Sequence, residues 1–278
     1  VSLERVEELL SRRPMIRNPR EPELLELPVR GDLEARGLHI RYDGSEADTL
    51  NGLSFKIRSG ELVAVVGPVG CGKTTLARAL GRMVDVPEGQ LFLDRHDLTR
   101  LRLTDLRDQI ALVPQEGYLF TSSLADNLRY GEPEASMERV EAAAEQARLL
   151  GDVRGFPDGM NTLVGERGIT LSGGQRQRTA LGRALLVKSP VLVLDDALAS
   201  VDNNTAAEIL ASVRRQTNRT IVMISHQLSA AAACDRILVL DQGRLVQQGH
   251  HSDLIQVPGL YRSLWEREQA AERLESVA

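Results

Sequence analysis

Cysteine is nearly absent, with only Cys71 and Cys234 among 278 residues. Two thiols cannot build a disulfide framework, so the chain reads as one suited to a reducing, cytosolic compartment. Long apolar runs are missing as well. The longest, such as Val191-Leu192-Val193-Leu194, are strand-sized, well short of the roughly 18 to 20 residues that a membrane-spanning helix needs. No secretory leader opens the chain, and its first residue is Val1. The expectation is a piece of a longer parent that does not itself cross a bilayer. A basic excess is also lacking: 34 Lys+Arg against 39 Asp+Glu leave a net charge of −5, so nucleic acid is not an expected partner. With 42% hydrophobic residues and ordinary Gly and Pro content, neither disorder nor a collagen-like repeat fits.

What is present is a layered pattern. VSLERVEELL (1–10) has near-helical apolar spacing and gives way to a Pro- and charge-rich stretch, a helix end followed by an extended linker. LEARGLHIRY and LNGLSFKI look like strands of a small antiparallel sheet. Leu62 to Val66 is a buried strand broken at Gly67, and Thr74 to Met83 has helical spacing. Residues 134–150 are rich in helix formers, and another helix is predicted from about Gly174 to Leu186. VLVLDD, TIVMIS and RILVLD are apolar strands alternating with helical segments, which predicts parallel α/β layers. A charged helix ends the chain.

Three segments carry chemistry. Residues 67–75, GPVGCGKTT, fit G-x-x-x-x-G-K-[ST] between a strand and a helix. The loop glycines Gly67, Gly70 and Gly72 let backbone N–H groups curl around phosphate oxygens; Lys73 would reach the β- and γ-phosphates and the Thr74 hydroxyl a Mg²⁺ ion. Only three lysines occur, Lys56, Lys73 and Lys188, and one falls at this position. Asp195 and Asp196 end an apolar strand, where one carboxylate can serve a metal and the other an attacking water. LSGGQRQR (171–178) offers a second glycine turn before a helix, a weak signal alone, since Ser172 could simply cap that helix.

Together these residues resemble the nucleotide-binding domain of an ATP-binding cassette transporter over about residues 32–265. GPVGCGKTT looks like Walker A, VPQEGYLF like the Q-loop with Gln115, and LSGGQ like the signature; VLVLDD looks like Walker B, ASVD like the D-loop with Asp202, and ISHQLS like the switch with His226. The resemblance implies a P-loop NTPase, an α/β fold with a RecA-like core, a small antiparallel β subdomain and a helical subdomain bearing the signature at about 116–185. It implies ATP and Mg²⁺ as ligands, with nucleotide contacts from Tyr42, Gly67, Val69, Gly70, Cys71, Gly72, Lys73, Thr74 and Thr75. Across a head-to-tail dimer, Ser172, Gly173, Gly174, Gln175 and Asp202 would complete the site of a second such domain. Thr74, Gln115 and Asp195 would serve the metal, and Asp196, His226 and Gln115 the catalysis. VGERG with Glu166 is similar to the segment of exporter-type cassettes that meets the coupling helices of a transmembrane domain, and SSLADNLRYG resembles the exporter stretch after the Q-loop. Residues 1–31 would then be the end of a transmembrane helix and its linker, and 266–278 a terminal helix, with the whole held at the cytoplasmic face of a membrane.

Two departures from the family pattern matter. Asp196 stands where active cassettes commonly carry Glu, and the D-loop reads Ala199-Ser200-Val201-Asp202. With an intact LSGGQ, this resembles the half of a heterodimeric exporter whose own site turns over slowly, with a homodimer as the alternative. A regulatory module that clamps ATP without turnover differs from this only in rate. A soluble cassette ATPase acting on DNA or ribosomes would be expected to show a long coiled coil between Walker A and the signature, or a second cassette, and these 278 residues show neither pattern. Cys71 reads as a small buried residue, Trp265 as packing, and His250 and His251 as surface residues without zinc-site spacing.

Overall fold

The computed structural model describes residues 2–11, 14–165, 171–216 and 218–275. Helix α1 (Ser2–Ser11) precedes an extended segment that lies along the body: Arg82 donates to the Arg17 carbonyl, and Asn18 Oδ1 accepts from Leu103 N at 2.8 Å. Strands β1 (Leu33–Ile40) and β2 (Leu50–Ile57) pair antiparallel, with register shifts near Leu38, and bury about every second side chain. Strand β3 (Leu62–Val66) leads through a glycine loop into α2 (Lys73–Leu80), and β4 (Leu91–Leu93) and β5 (His96–Asp97) then complete the small sheet in the order β2-β1-β4-β5.

Helix α3 (Leu103–Gln109) and β6 (Ile110–Val113) return the chain to the large sheet. A helical region follows, with α4 (Leu124–Arg129), α5 (Met137–Gln146), α6 (Leu150–Val153) and α7 (Gly173–Leu186). The remaining elements alternate as β7 (Val191–Asp195), α8 (Asn203–Gln216), β8 (Thr220–Ile224), α9 (Leu228–Ala231), β9 (Arg236–Asp241), β10 (Arg244–Gly249), α10 (His251–Leu254) and α11 (Leu260–Glu275). The large sheet has the order β10-β9-β3-β8-β7-β6, parallel apart from the antiparallel edge strand β10.

Side-chain alternation splits the core. Val63, Val65, Val191, Val193, Val222 and Ile224 point toward the small sheet and α2, while Ala64, Leu192, Leu194, Ile221 and Met223 point toward α7, α8 and α11. Because both faces are covered, β3, β7 and β8 are buried at every position, which is why their sequences are continuous apolar runs. The helical region has a third core of its own, including Leu124, Leu128, Val140, Leu149 and Val164.

Four details differ from the sequence reading. Helix α2 stops at Leu80, before Met83, because Gly81 ends it and Arg82 turns left-handed at φ 45°. The helix expected over 134–150 is shorter: Ser136 caps it, and Arg148 at φ 55° breaks the chain before α6. The division between 265 and 266 falls inside the continuous helix α11. His251 is not a bare surface residue: its Nδ1 lies 2.7 Å from the Tyr261 hydroxyl and its ring packs edge-on against Trp265. Trp265 itself packs against the core, and Cys71 is buried.

Candidate functional site

Strand register assembles the site. Val65 pairs with Ile224, Ile224 with Asp195, and Leu194 with Val113, so the carboxyl ends of β3, β8, β7 and β6 lie side by side. The residues that follow them, Gly67 to Thr75, Ser225-His226, Asp196 and Gln115, therefore share one edge of the sheet. In parallel α/β sheets this edge is where ligands bind.

The glycine loop is shaped by two positions that admit no side chain. A Cβ on Gly67 (φ 149°) would lie 2.1 Å from the Leu240 carbonyl oxygen, and one on Gly72 (φ 104°) 2.8 Å from that of Thr49. At Gly70 (φ 79°) nothing lies within 4 Å of a built Cβ, so this part of the loop borders open space. Val69 is 88% exposed at the loop tip. Gly72 caps α2 without a side chain, leaving the amides of the helix start available for an anion. Lys73 is only 5% exposed, and its ammonium donates to the carbonyls of Gly67 (2.7 Å) and Pro68 (2.9 Å), which places it inside the loop. The Tyr42 hydroxyl lies 3.2 Å from Thr75 Oγ1, bringing that aromatic beside the first turn of α2. Cys71 is buried, and that burial pushes its thiol above its usual range.

Beside the loop, Thr74 Oγ1 donates to Asp195 Oδ1 at 3.1 Å. Burial raises the Asp195 carboxyl above the usual carboxylate range, and the neighbouring Asp196 adds to this. A hydroxyl and a desolvated carboxylate are the hard oxygen donors that a Mg²⁺ ion takes, and its charge would relieve the cost of ionising Asp195 there. The residues fit the ion.

A carboxyl raised in the folded state weighs against folding once pH climbs past the ordinary carboxylate range, because ionisation then costs more in the folded chain than in the unfolded one. Asp195→Asn is accordingly expected to raise the unfolding temperature of the nucleotide-free chain at pH 7 while weakening Mg²⁺-dependent nucleotide binding. Thermal unfolding and a Mg²⁺ titration check both effects. The stability difference should fade as pH falls below the carboxylate range, and a variant less stable than wild type at pH 7 would refute the argument.

Asp196 is 7% exposed and sits at φ 53°, a left-handed conformation that Asp tolerates better than most residues. Its Oδ2 accepts from Gln115 Nε2 and its Oδ1 from His226 N, both at 3.4 Å. The Gln115 amide thus meets Asp196, one of the two groups with which the family resemblance placed it. The His226 side chain is exposed at the rim of the site.

The signature residues lie elsewhere. Ser172 Oγ accepts from Gln175 N at 3.2 Å and Gln175 Oε1 from Ser172 N at 2.9 Å, a reciprocal cap that starts α7. Gly173 and Gly174 face Ser200: a Cβ on Gly174 would lie 2.9 Å from the Ser200 carbonyl oxygen. Among the described residues, no hydrogen bond joins 172–175 to the glycine loop. Asp202 Oδ1 accepts from Thr205 N at 2.9 Å, at the start of α8. Glu166 lies outside the described residues.

Sequence reasoning missed the supports. Asp152 receives Gln175 Nε2 at 3.0 Å and Arg178 Nη2 at 2.7 Å, fixing the signature helix from α6. Gln177 Oε1 accepts from Ser200 N at 2.8 Å, tying that helix to the D-loop. Arg183 donates to the carbonyls of Asn127 and Tyr118 and lies over the Phe120 and Tyr130 rings, joining α7 to the segment after Gln115. The spacing of Gln177 and Arg183 within QRQRTALGR was visible; their distant partners were not.

A family profile described as ABC transporter matches residues 50–199, more than half the chain. The chain belongs to the ABC transporter family. Curated relatives of this ABC domain include an ATM1-type heavy metal exporter from Novosphingobium aromaticivorans, 43% identical over 235 residues that make up 84% of this chain and 38% of the relative. An ATP-dependent lipid A-core flippase from Vibrio cholerae is 40% identical over 238 residues, covering 85% of this chain and 41% of that protein. A solved structure of a bacterial Atm1-family ABC exporter with ATP bound superposes with a TM-score of 0.89 at 38% identity, over 96% of this chain and 46% of that one. The chain thus spans about two-fifths of the length of the curated relatives it matches. Its relatives are exporters, and the ABC domain has the expected fold: a parallel-sheet P-loop core, a small antiparallel sheet and a helical region carrying the signature.

Proposed function

We propose that this ABC domain binds and hydrolyses Mg-ATP to drive export through a transmembrane domain, and that hydrolysis at its own Walker site is slow. The observation that carries this reading is the convergence of the glycine loop, the Thr74–Asp195 pair and Asp196 at one sheet edge. Lys73 and the loop amides would neutralise and orient the phosphates, with Tyr42 stacking on the base. Thr74 and Asp195 would hold Mg²⁺, which supplies further neutralisation of phosphate charge. His226 would meet the γ-phosphate from the rim.

Asp196 would orient the attacking water and take its proton. Its carboxylate reaches about 1 to 1.5 Å less far than a Glu would, and an error near 1 Å in a catalytic group costs on the order of 10²-fold. The separation of 172–175 from the chain's own loop supports a site completed by a second ABC domain, with Ser172, Gly173, Gly174, Gln175 and Asp202 serving that partner. We read the partner as a different chain whose Walker site carries the faster hydrolysis. About 116–185, with its own core, forms the moving helical subdomain, residues 32–265 the ATP-binding body, and 1–31 the approach from a transmembrane helix at the cytoplasmic face of a membrane. No helix among the described residues is long and apolar enough to cross a membrane.

A shared site makes turnover depend on pairing. Because this chain carries both a Walker loop and a signature, two copies can complete each other's sites in the absence of that partner, and Mg-ATP hydrolysis per chain is expected to rise with chain concentration until pairs saturate. A specific rate independent of concentration would contradict a site built by two domains.

A further inference from the structure

Helix α9 begins immediately after the switch segment, yet its first residue boundary has no local cap: Gln227, at the N-cap position, makes no side-chain bond to the helix. The cap comes from 40 residues away. Glu268 Oε2 accepts from Leu228 N at 2.8 Å, and Glu268 Oε1 accepts from Ser229 N at 3.0 Å. A carboxylate at a helix N-terminus satisfies two orphan donors and meets the positive end of the helix dipole.

Glu268 is held firmly enough to act as a clamp. It lies on α11 one stripe along from Tyr261, Leu264 and Trp265, the spacing that puts all four on one helix face. Tyr261 is fully buried, its N–H donates to Gln247 Oε1 at 2.9 Å, and its hydroxyl contacts His251. Leu264 and Trp265 pack against the core. On the other side of the switch, Ser225 N donates to the Val65 carbonyl at 3.3 Å and Ser225 Oγ accepts from Gln227 N at 3.0 Å. His226 is thus suspended between a strand end and a short helix of four residues whose start is fixed by Glu268.

We infer that Glu268, by capping α9 from the C-terminal helix, is a positioning residue that holds the His226 backbone, and with it the imidazole, at the rim of the Walker site. This rests on the proposed ATPase reading for its catalytic consequence, but the clamp itself exists without nucleotide. Removing the carboxylate would leave the Leu228 and Ser229 amides unpaired in a half-buried place, and α9 would fray toward His226.

The test uses the full chain as wild type, Glu268→Ala and Glu268→Gln, with two readouts. Amide hydrogen exchange at residues 226–229 in the nucleotide-free chain is expected to quicken about tenfold or more in Glu268→Ala while β8 stays protected. Mg-ATP turnover should fall about tenfold in kcat with KM within about twofold, since the group displaced meets the reacting phosphate and not the body of the nucleotide. Glu268→Gln, which keeps one of the two acceptor oxygens and turns a donor toward the other amide, should restore only part of both. Unchanged exchange at 226–229 overturns the clamp, and quickened exchange with unchanged kcat overturns its role in positioning His226. If wild type shows no turnover that depends on Lys73, the ATPase reading fails instead, and the exchange data alone decide the clamp.

Discussion

Replacing Asp196 with Glu should raise Mg-ATP turnover by about tenfold or more, with nucleotide affinity nearly unchanged. The substitution keeps the charge and adds one methylene, so it alters reach without altering the Thr74–Asp195 pair or Lys73. In the present arrangement Asp196 is turned back on its own chain, each carboxylate oxygen taken by a donor, Gln115 Nε2 or His226 N. A longer side chain can keep one of these contacts and still extend a free oxygen toward the water. The gain carries a cost in stability. At φ 53° an Asp is tolerated better than a Glu, so the variant should unfold at a slightly lower temperature than wild type. Single-turnover hydrolysis at saturating Mg-ATP separates the chemical step from nucleotide exchange. If wild type already turns over quickly and Glu adds nothing, Asp196 is a competent base and two copies of this chain become the better pairing.

Most of the fold could be read from the sequence because its signals are local. LVAVV, VLVLD and TIVMI are apolar apart from Thr220 and the terminal Asp195, a run that only strands covered on both faces require, and the register of these strands then delivers Gly67, Asp195, Asp196 and His226 to one edge. The Lys73–Thr74 motif carries its own mechanism in its spacing. What escaped has no local pattern. Asp152 under the signature helix, Gln177 on Ser200 and Glu268 on α9 bridge 23 to 40 residues through single side chains. His251 was misread for the same reason: its partner Tyr261 lies ten residues on, in a different helix. Helix boundaries slipped at two left-handed residues: Arg82 follows the Gly81 that ends α2, and Arg148 breaks the second helix with no Gly or Pro beside it to mark the turn.

The second large effect is loss of nucleotide at Lys73. Its ammonium is the one cation placed within the glycine loop itself, where it is nearly enclosed and bonded to the carbonyls of Gly67 and Pro68. Those bonds hold the charge where phosphate oxygens would arrive, so little side-chain entropy remains to be lost on binding. Ala suits the first turn of α2, and the helix should persist. It would leave two carbonyl oxygens facing phosphate with no cation between them. Two charge-assisted hydrogen bonds of about 1.5 to 2 kcal/mol each amount to a loss on the order of 10²- to 10³-fold in affinity.

Calorimetric titration of Mg-ATP into wild type and Lys73→Ala, side by side, therefore bears most directly on whether this chain is an ATP-binding motor domain. The account predicts one nucleotide per wild-type chain, with affinity that falls when Mg²⁺ is withheld, and binding weaker by at least about 10²-fold in a Lys73→Ala chain that remains folded. Equal affinities in the two proteins, or no saturable binding to wild type, would contradict it.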